Sequence, residues 1–243
     1  MNSILTLAFL FFIGSLVGWG MELLFRHFTS PERKWFNPGF CVGPYLPLYG
    51  FGLCILYLIA SLERFNLITD PFWNKAVLFI FMALCMTAIE YIAGILCLRI
   101  WKVRLWDYSK QPGNIQGIIC PQFSLIWAAL GAAYYFLIHP YILGALDWLS
   151  RNLAFSFFIG LFYGVFLVDV VYSTQLVAKI KQFAEKNEVI VKYESLKAYI
   201  HTRHTENKQK RRFFFPLRSN RPVQEYLKEM RASLEQARKK RKE

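Results

Sequence analysis

Three carboxylates interrupt apolar runs where a charge is expensive: Glu22 in Gly18-Trp19-Gly20-Met21-Glu22, Glu90 in Thr87-Ala88-Ile89-Glu90-Tyr91, and Asp169 in Val168-Asp169-Val170-Val171. An acid at the centre of a membrane-spanning helix costs about 2.5–3.5 kcal/mol on insertion scales, so such acids usually face the bundle interior or a water-filled cavity. Glu90 precedes Arg99 by nine residues, about 13 Å of helix, which sets it well inside a bilayer. Glu22 is four residues from Arg26, and that spacing equally suits a helix-surface ion pair. Asp169 has too short a stem to reach the headgroups. Small residues accompany each acid: Gly14 and Gly18 share a helical face with Glu22, Ala83, Thr87 and Gly94 share one with Glu90, and Gly160 and Gly164 precede Asp169. Such stripes let helices approach closely. Acids that face protein in this way could bind a cation, a proton or a polar group of a solute.

The surroundings of the first two acids repeat. The first copy runs Glu22, Arg26, Trp35, Asn37, Gly39, Pro44, Tyr49, Gly52, and the second Glu90, Arg99, Trp106, Asn114, Gly117, Pro121, Trp127, Gly131, with equal spacing from Gly39 to Tyr49 and from Gly117 to Trp127. Each copy reads as an inward helix, a basic loop carrying Trp and Asn, and a Gly/Pro-marked entry to an outward helix. Two copies pointing the same way are related by an axis along the membrane normal, and transporters built so place their site at the repeat interface. The candidate solute-binding set is therefore Glu22, Asn37, Tyr49, Glu90, Asp107, Tyr108, Asn114, Trp127 and Asp169, framed by Arg26, Trp35, Gly39, Pro44, Trp106 and Gly117. A structural account competes with it. Trp and Tyr favour the headgroup level, and Asp and Asn can cap the helix that begins near Ile118.

Other chemistry finds no support. There is no GxxxxGK[ST] loop, HExxH or GxSxG, so no catalytic residue, metal or cofactor is assigned. His201 and His204 share a tail face without a third ligand, and His27 and His139 sit at span ends as interfacial residues. Cys41, Cys54, Cys85, Cys97 and Cys120 form no CxxC pair and read as small buried hydrophobes.

The elements that must hold these residues follow from composition. The chain of 243 residues is 55% hydrophobic and 19% charged, against about 25% charged in an ordinary soluble domain, yet its formal net charge is +13. Residues 178–243 hold 19 of the 29 basic residues and 8 of the 16 acids, a net of +11. This excludes a single soluble domain, a disulfide scaffold and a disordered chain. The expected fold is all-α: a polytopic bundle over 1–177 with five spans at about 3–25, 45–62, 73–98, 118–138 and 152–177, each near the roughly 20 apolar residues a bilayer requires. A helical, basic, amphipathic tail over 178–243 follows. Gly43-Pro44-Tyr45-Leu46-Pro47 cannot be regular helix interior, which predicts a broken entry. The N-terminal run lacks the charged start and cleavage site of a signal peptide and is expected to remain as the first span.

Basic residues are retained on the cytoplasmic side. Arg26, Arg33 and Lys34 mark one inward loop, and Arg99, Lys102, Arg104 and Lys110 another, while residues 63–72 and 139–151 are poor in them. The N-terminus is thus expected outside and the basic tail in the cytoplasm. That tail reads as a helix over 178–204 and a second opening at Pro222, with Lys210-Arg211-Arg212-Phe213-Phe214-Phe215-Pro216-Leu217-Arg218 between them. This run suits an anionic leaflet, and the lipid bilayer is preferred to nucleic acid as its partner.

The run Trp35-Phe36-Asn37-Pro38-Gly39-Phe40 with Gly43-Pro44-Tyr45-Leu46-Pro47-Leu48-Tyr49-Gly50-Phe51-Gly52, and the second signature Leu105-Trp106-Asp107-Tyr108-Ser109, Asn114, Gly117 and Phe123-Ser124-Leu125-Ile126-Trp127, resemble the bacterial CmpB-like family, Putative ABC-transporter type IV. The matches cover about residues 14–131, and Cys120, Pro121 and the long tail depart from the pattern. The resemblance implies a multi-pass permease of the bacterial cytoplasmic membrane. Three readings stand: a transport component for a small polar or cationic solute, working with a separate ATPase subunit or by ion coupling; a membrane enzyme acting on lipid or envelope intermediates through Glu90 or Asp107; and a scaffold or regulator. The repeated buried acids favour transport, and homo-oligomerisation stays open.

Overall fold

A computed structural model describes residues 2–29, 35, 37–66, 68–193, 195, 196, 199 and 220–240. Arg33, Lys34, His201, His204 and the run 210–218 lie outside the described residues. The helices are α1 (Ser3–Thr29), α2 (Pro47–Ala60), α3 (Pro71–Trp101), α4 (Pro121–Ala133), α5 (His139–Arg151), α6 (Ser156–Asn187) and α7 (Asn220–Lys240). Five helical segments are long and apolar enough to cross a bilayer: Ser3–Phe28, Pro47–Phe65, Pro71–Trp101, Pro121–Arg151 and Leu153–Asn187. Large side chains such as Leu84, Leu125, Phe157 and Val168 are exposed along them. A soluble monomer rarely presents so much apolar surface.

Proline sets where two of these helices start. α2 opens on Pro47 and α4 on Pro121, since proline at the first helical position gives up an N–H that has no partner there anyway. The segment ahead of α2 is ordered but not helical, as the Gly-Pro content predicts. α3 starts where the Asp70 carboxylate accepts from the Phe72 and Trp73 N–H groups at 2.8 and 3.1 Å.

The chain divides into two compact units. The first comprises residues 1–19, 45–93 and 108–166. Its core is packed from Leu10, Leu56, Leu78, Met82, Met86, Trp127, Tyr134 and Leu149. The small-residue face of α1 does the work expected of it: a Cβ on Gly14 would sit 2.9 Å from Leu53 Cβ, and one on Gly18 would overlap Tyr49. Residues 139–151, expected as a loop, are helical. Ile142, Leu146 and Leu149 recur at helical spacing and are buried, and a single π turn over Tyr134–Ile138 links α5 to α4.

The second unit comprises residues 20–44, 94–107 and 167–243. Val103, Val177, Ile180, Ala184, Val191, Tyr193 and Leu196 form its core, with Tyr226, Leu227 and Met230 of α7 packed against it. The helix expected over 178–204 is corrected here. α6 ends at Asn187, and Glu188 takes a left-handed conformation with φ 55°. Val191–Lys192 (β2) then pairs in parallel with Val103–Arg104 (β1). The β-branched run Val189-Ile190-Val191 favours extended backbone, which outweighs the weak helical stripe. Five described spans and this lone two-residue pairing make the fold all-α in character.

Candidate functional site

In the first unit the polar centre is Glu90, on α3 and only 3% exposed. The Tyr108 hydroxyl donates to its Oε1 at 3.1 Å. Tyr108 in turn lies flat on Phe123, with ring centroids 4.2 Å apart and planes within 6°. Helix geometry explains the meeting. Gly131 of α4 faces Met82 of α3, and Phe123 precedes Gly131 by as many residues as Glu90 follows Met82, so antiparallel helices bring both to one level. Trp127, between them on α4, meets Tyr49 of α2 at 5.2 Å.

The loop that delivers Tyr108 is closed on itself. Asn114 donates from its amide to the Gln111 and Ser109 carbonyls at 2.8 and 3.3 Å, and accepts from the Gly117 N–H at 3.0 Å. Asparagine side chains favour such local turns. The Tyr108 N–H donates to the Gly117 carbonyl at 2.8 Å. Gly117 has φ 66°, a conformation that a Cβ would strain. A buried carboxylate reached by a tyrosine hydroxyl can accept a proton or hold a cationic group.

In the second unit the carboxylates hold the chain itself. Asp169 on α6 accepts from the Val42 and Gly43 N–H groups at 3.0 and 2.6 Å, and from the Ser173 hydroxyl at 2.9 Å. Asn37, fully buried, closes the same loop. Its amide donates to the Cys41 and Val42 carbonyls at 2.9 and 3.0 Å, and its Oδ1 accepts from the Gly39 N–H at 3.1 Å. Burial first, and the Asp169 charge second, push the Cys41 thiol up to about 12. The Tyr193 hydroxyl donates to the Gly39 carbonyl at 3.1 Å, so the segment after α6 is fastened to this loop. Glu22 pairs with Arg26 at 2.7 Å. Asp107 meets Arg104 at 3.4 Å and Lys192 at 2.6 Å. Trp35 stacks on His27 at 4.0 Å, and Trp106 is half-buried.

Of the residues singled out by sequence, Tyr49, Glu90, Tyr108, Asn114 and Trp127 thus fall in the first unit, and Glu22, Asn37, Asp107 and Asp169 in the second. Among the described residues, no three His, Cys, Asp or Glu side chains are grouped to hold a metal ion. Sequence reasoning passed over one polar cluster in the first unit. The Tyr135 hydroxyl donates to Glu63 at 2.8 Å, and Tyr134 and His139 bond at 2.8 Å. Its only outward signal is two adjacent tyrosines near a histidine. A family model described as Putative ABC-transporter type IV matches residues 9–174. No curated protein and no solved structure matches the chain.

Proposed function

We propose, because the chain belongs to the Putative ABC-transporter type IV family, that it is the membrane-embedded permease component of a transporter and takes a small polar or cationic solute at the interface of two parallel repeats. The observation that carries this reading is the contact of Tyr49 with Trp127. These two occupy equivalent positions in the two copies, and equivalent residues approach one another where a repeat axis passes. Glu90, Tyr108 and Phe123 lie one to two helical turns from that contact and offer a carboxylate and aromatic faces to a solute. Asn114 positions Tyr108. In the second unit, Asn37, Asp107 and Asp169 position the loop and tail segments, while Glu22 answers to Arg26. The proposed arrangement is a membrane domain over 1–177 and a cytoplasmic tail over 178–243, with the N-terminus outside the cytoplasmic membrane and a separate ATPase subunit as partner.

The test is binding and uptake by the full chain in proteoliposomes across a panel of amines, metal cations and neutral polar solutes, with Glu90→Gln as the variant. A cationic solute bound by the wild type should lose at least about tenfold in affinity in the variant, the size of one charge-assisted hydrogen bond. Absence of binding and uptake across the panel would overturn the transport reading. A periplasmic reporter active after residue 204 would overturn the orientation.

A further inference from the structure

We propose that Glu63, His139, Tyr134 and Tyr135 form a proton-binding site in the first unit, at the far end of α3 from Glu90, and that proton uptake there releases the π turn joining α4 to α5. The inference does not depend on which solute is carried.

In the π turn over Tyr134–Ile138, closed by the His139 N–H bonding to the Tyr134 carbonyl, both Tyr134 and Tyr135 are inside, at 2% and 7% exposed. Such single π turns recur at functional sites. Buried hydroxyls require partners, and here they are a carboxylate and an imidazole, the side chain whose charge ordinarily changes near neutral pH. The Tyr135 hydroxyl donates to Glu63 Oε2 at 2.8 Å, from the turn of 3₁₀ helix (Ser61–Phe65) that follows α2. The Tyr134 hydroxyl and His139 Nδ1 are 2.8 Å apart.

The other groups facing the pair come from two more elements. Lys75 Nζ of α3 is 3.8 Å from Glu63 Oε1. On α2, the Tyr57 ring is 6.1 Å from the imidazole, and Cys54 faces Tyr134. Arg64 turns aside onto Phe65. Glu63 is 39% exposed at its side chain, so the cluster is open to solvent on that side. On the orientation proposed above, that solvent is exterior.

Protonation changes the hydrogen-bond roles. An imidazolium has two donors and no acceptor. When His139 takes a proton, the Tyr134 hydroxyl loses the ring nitrogen as acceptor and its buried O–H is left to find another. The tie that holds the π turn inward at Tyr134 weakens, while Tyr135 stays bonded to Glu63. Lys75 lies fifteen residues before Glu90 on α3, about 22 Å along the axis, and the core between them is packed. This site is therefore separate from Glu90 and its aromatic neighbours.

The test uses the full chain in lipid nanodiscs and hydrogen exchange of residues 131–142, corrected for intrinsic rates, at about pH 7.5 and about pH 5.5, across which imidazole ordinarily changes charge. The wild type should lose about tenfold in protection at the lower pH, the loss expected for a buried hydrogen bond. Glu63→Gln with His139→Asn keeps an acceptor for each tyrosine that does not ionise, so the double variant should keep its protection at both values. His139→Asn alone should remove the pH response, which serves if the double variant fails to fold. Equal wild-type protection at the two pH values overturns the proposal, and so does an undiminished response in the variants.

Discussion

Ahead of α2, Asn37 ties the loop from within while Asp169, more than 120 residues further along the chain, accepts the Val42 and Gly43 N–H groups from α6. Ahead of α4, Asn114 makes its amide and carbonyl bonds inside its own loop, and positive φ at Gly113, Gln116 and Gly117 turns the chain. The same residue type thus closes both loops, but Asn37 donates to carbonyls ahead of it in the chain and Asn114 to carbonyls behind it. What the two loops share is an asparagine that closes them, and what differs is the acid. Glu22 is answered by an arginine one turn away, whereas Glu90 is buried and reached by a tyrosine hydroxyl. A recurring asparagine therefore signals a closed loop rather than one backbone conformation, and the segment whose acid is buried is the one to examine for a solute.

The largest expected effect concerns the support from α6. With the Cys41 thiol at about 12 rather than 9.0, its thiolate fraction near pH 8 is about a thousandfold below that of an ordinary thiol, and alkylation should slow in proportion. Because the shift is upward, the stabilising contribution of the neutral thiol is complete below pH 9.0 and is lost as pH rises toward 12. Asp169→Ala removes the acceptor of two backbone N–H groups and should open the loop, raising Cys41 alkylation at least about tenfold. Mass spectrometry of the alkylated peptide reads both values. Equal rates in the two proteins would break the claim that the first entry depends on a distant acid.

A middle-sized effect compares the asparagines directly. Asn37→Ala leaves buried carbonyls and the Gly39 N–H without partners and should cost about 2–3 kcal/mol. Asn114 is half-buried, so Asn114→Ala should cost about 1 kcal/mol. Unfolding of both variants in one detergent gives the difference. If Asn114→Ala proves as costly, the second loop is not the self-sufficient structure described.

Much of this arrangement can be read from the residues alone. Continuous apolar length places five spans, and Pro47 and Pro121 place the starts of α2 and α4 within a few residues. Glu90 stands out because its residue type conflicts with its surroundings. The loop that Asp169 holds does not, since its contribution is the backbone N–H groups of Val42 and Gly43, which leave no side-chain signature. Helix α5 is hidden by His139, Pro140 and Asp147, which lower its mean hydropathy, although Ile142, Leu146 and Leu149 keep the helical period. The π turn is a one-residue insertion that no composition marks. The end of α6 depends on β2 finding β1, a tertiary pairing of a sequence whose local stripe looks helical.

The smallest effect separates the two glutamates. Tyr108→Phe removes one hydrogen bond from a buried carboxylate and should cost about 1.5 kcal/mol. Glu22 and Arg26 retain 20% and 25% side-chain exposure, where water and salt screen the pair, so Glu22→Gln should change stability by no more than about 0.5 kcal/mol. The Glu22 effect should shrink further with added salt, and the Tyr108 effect should not, because a hydrogen bond held inside the bundle lies beyond the reach of counter-ions. Thermal unfolding of both variants at low and high ionic strength measures this. A salt-insensitive loss at Glu22 as large as that at Tyr108 would place the two acids in equivalent environments and erase the asymmetry between the two segments.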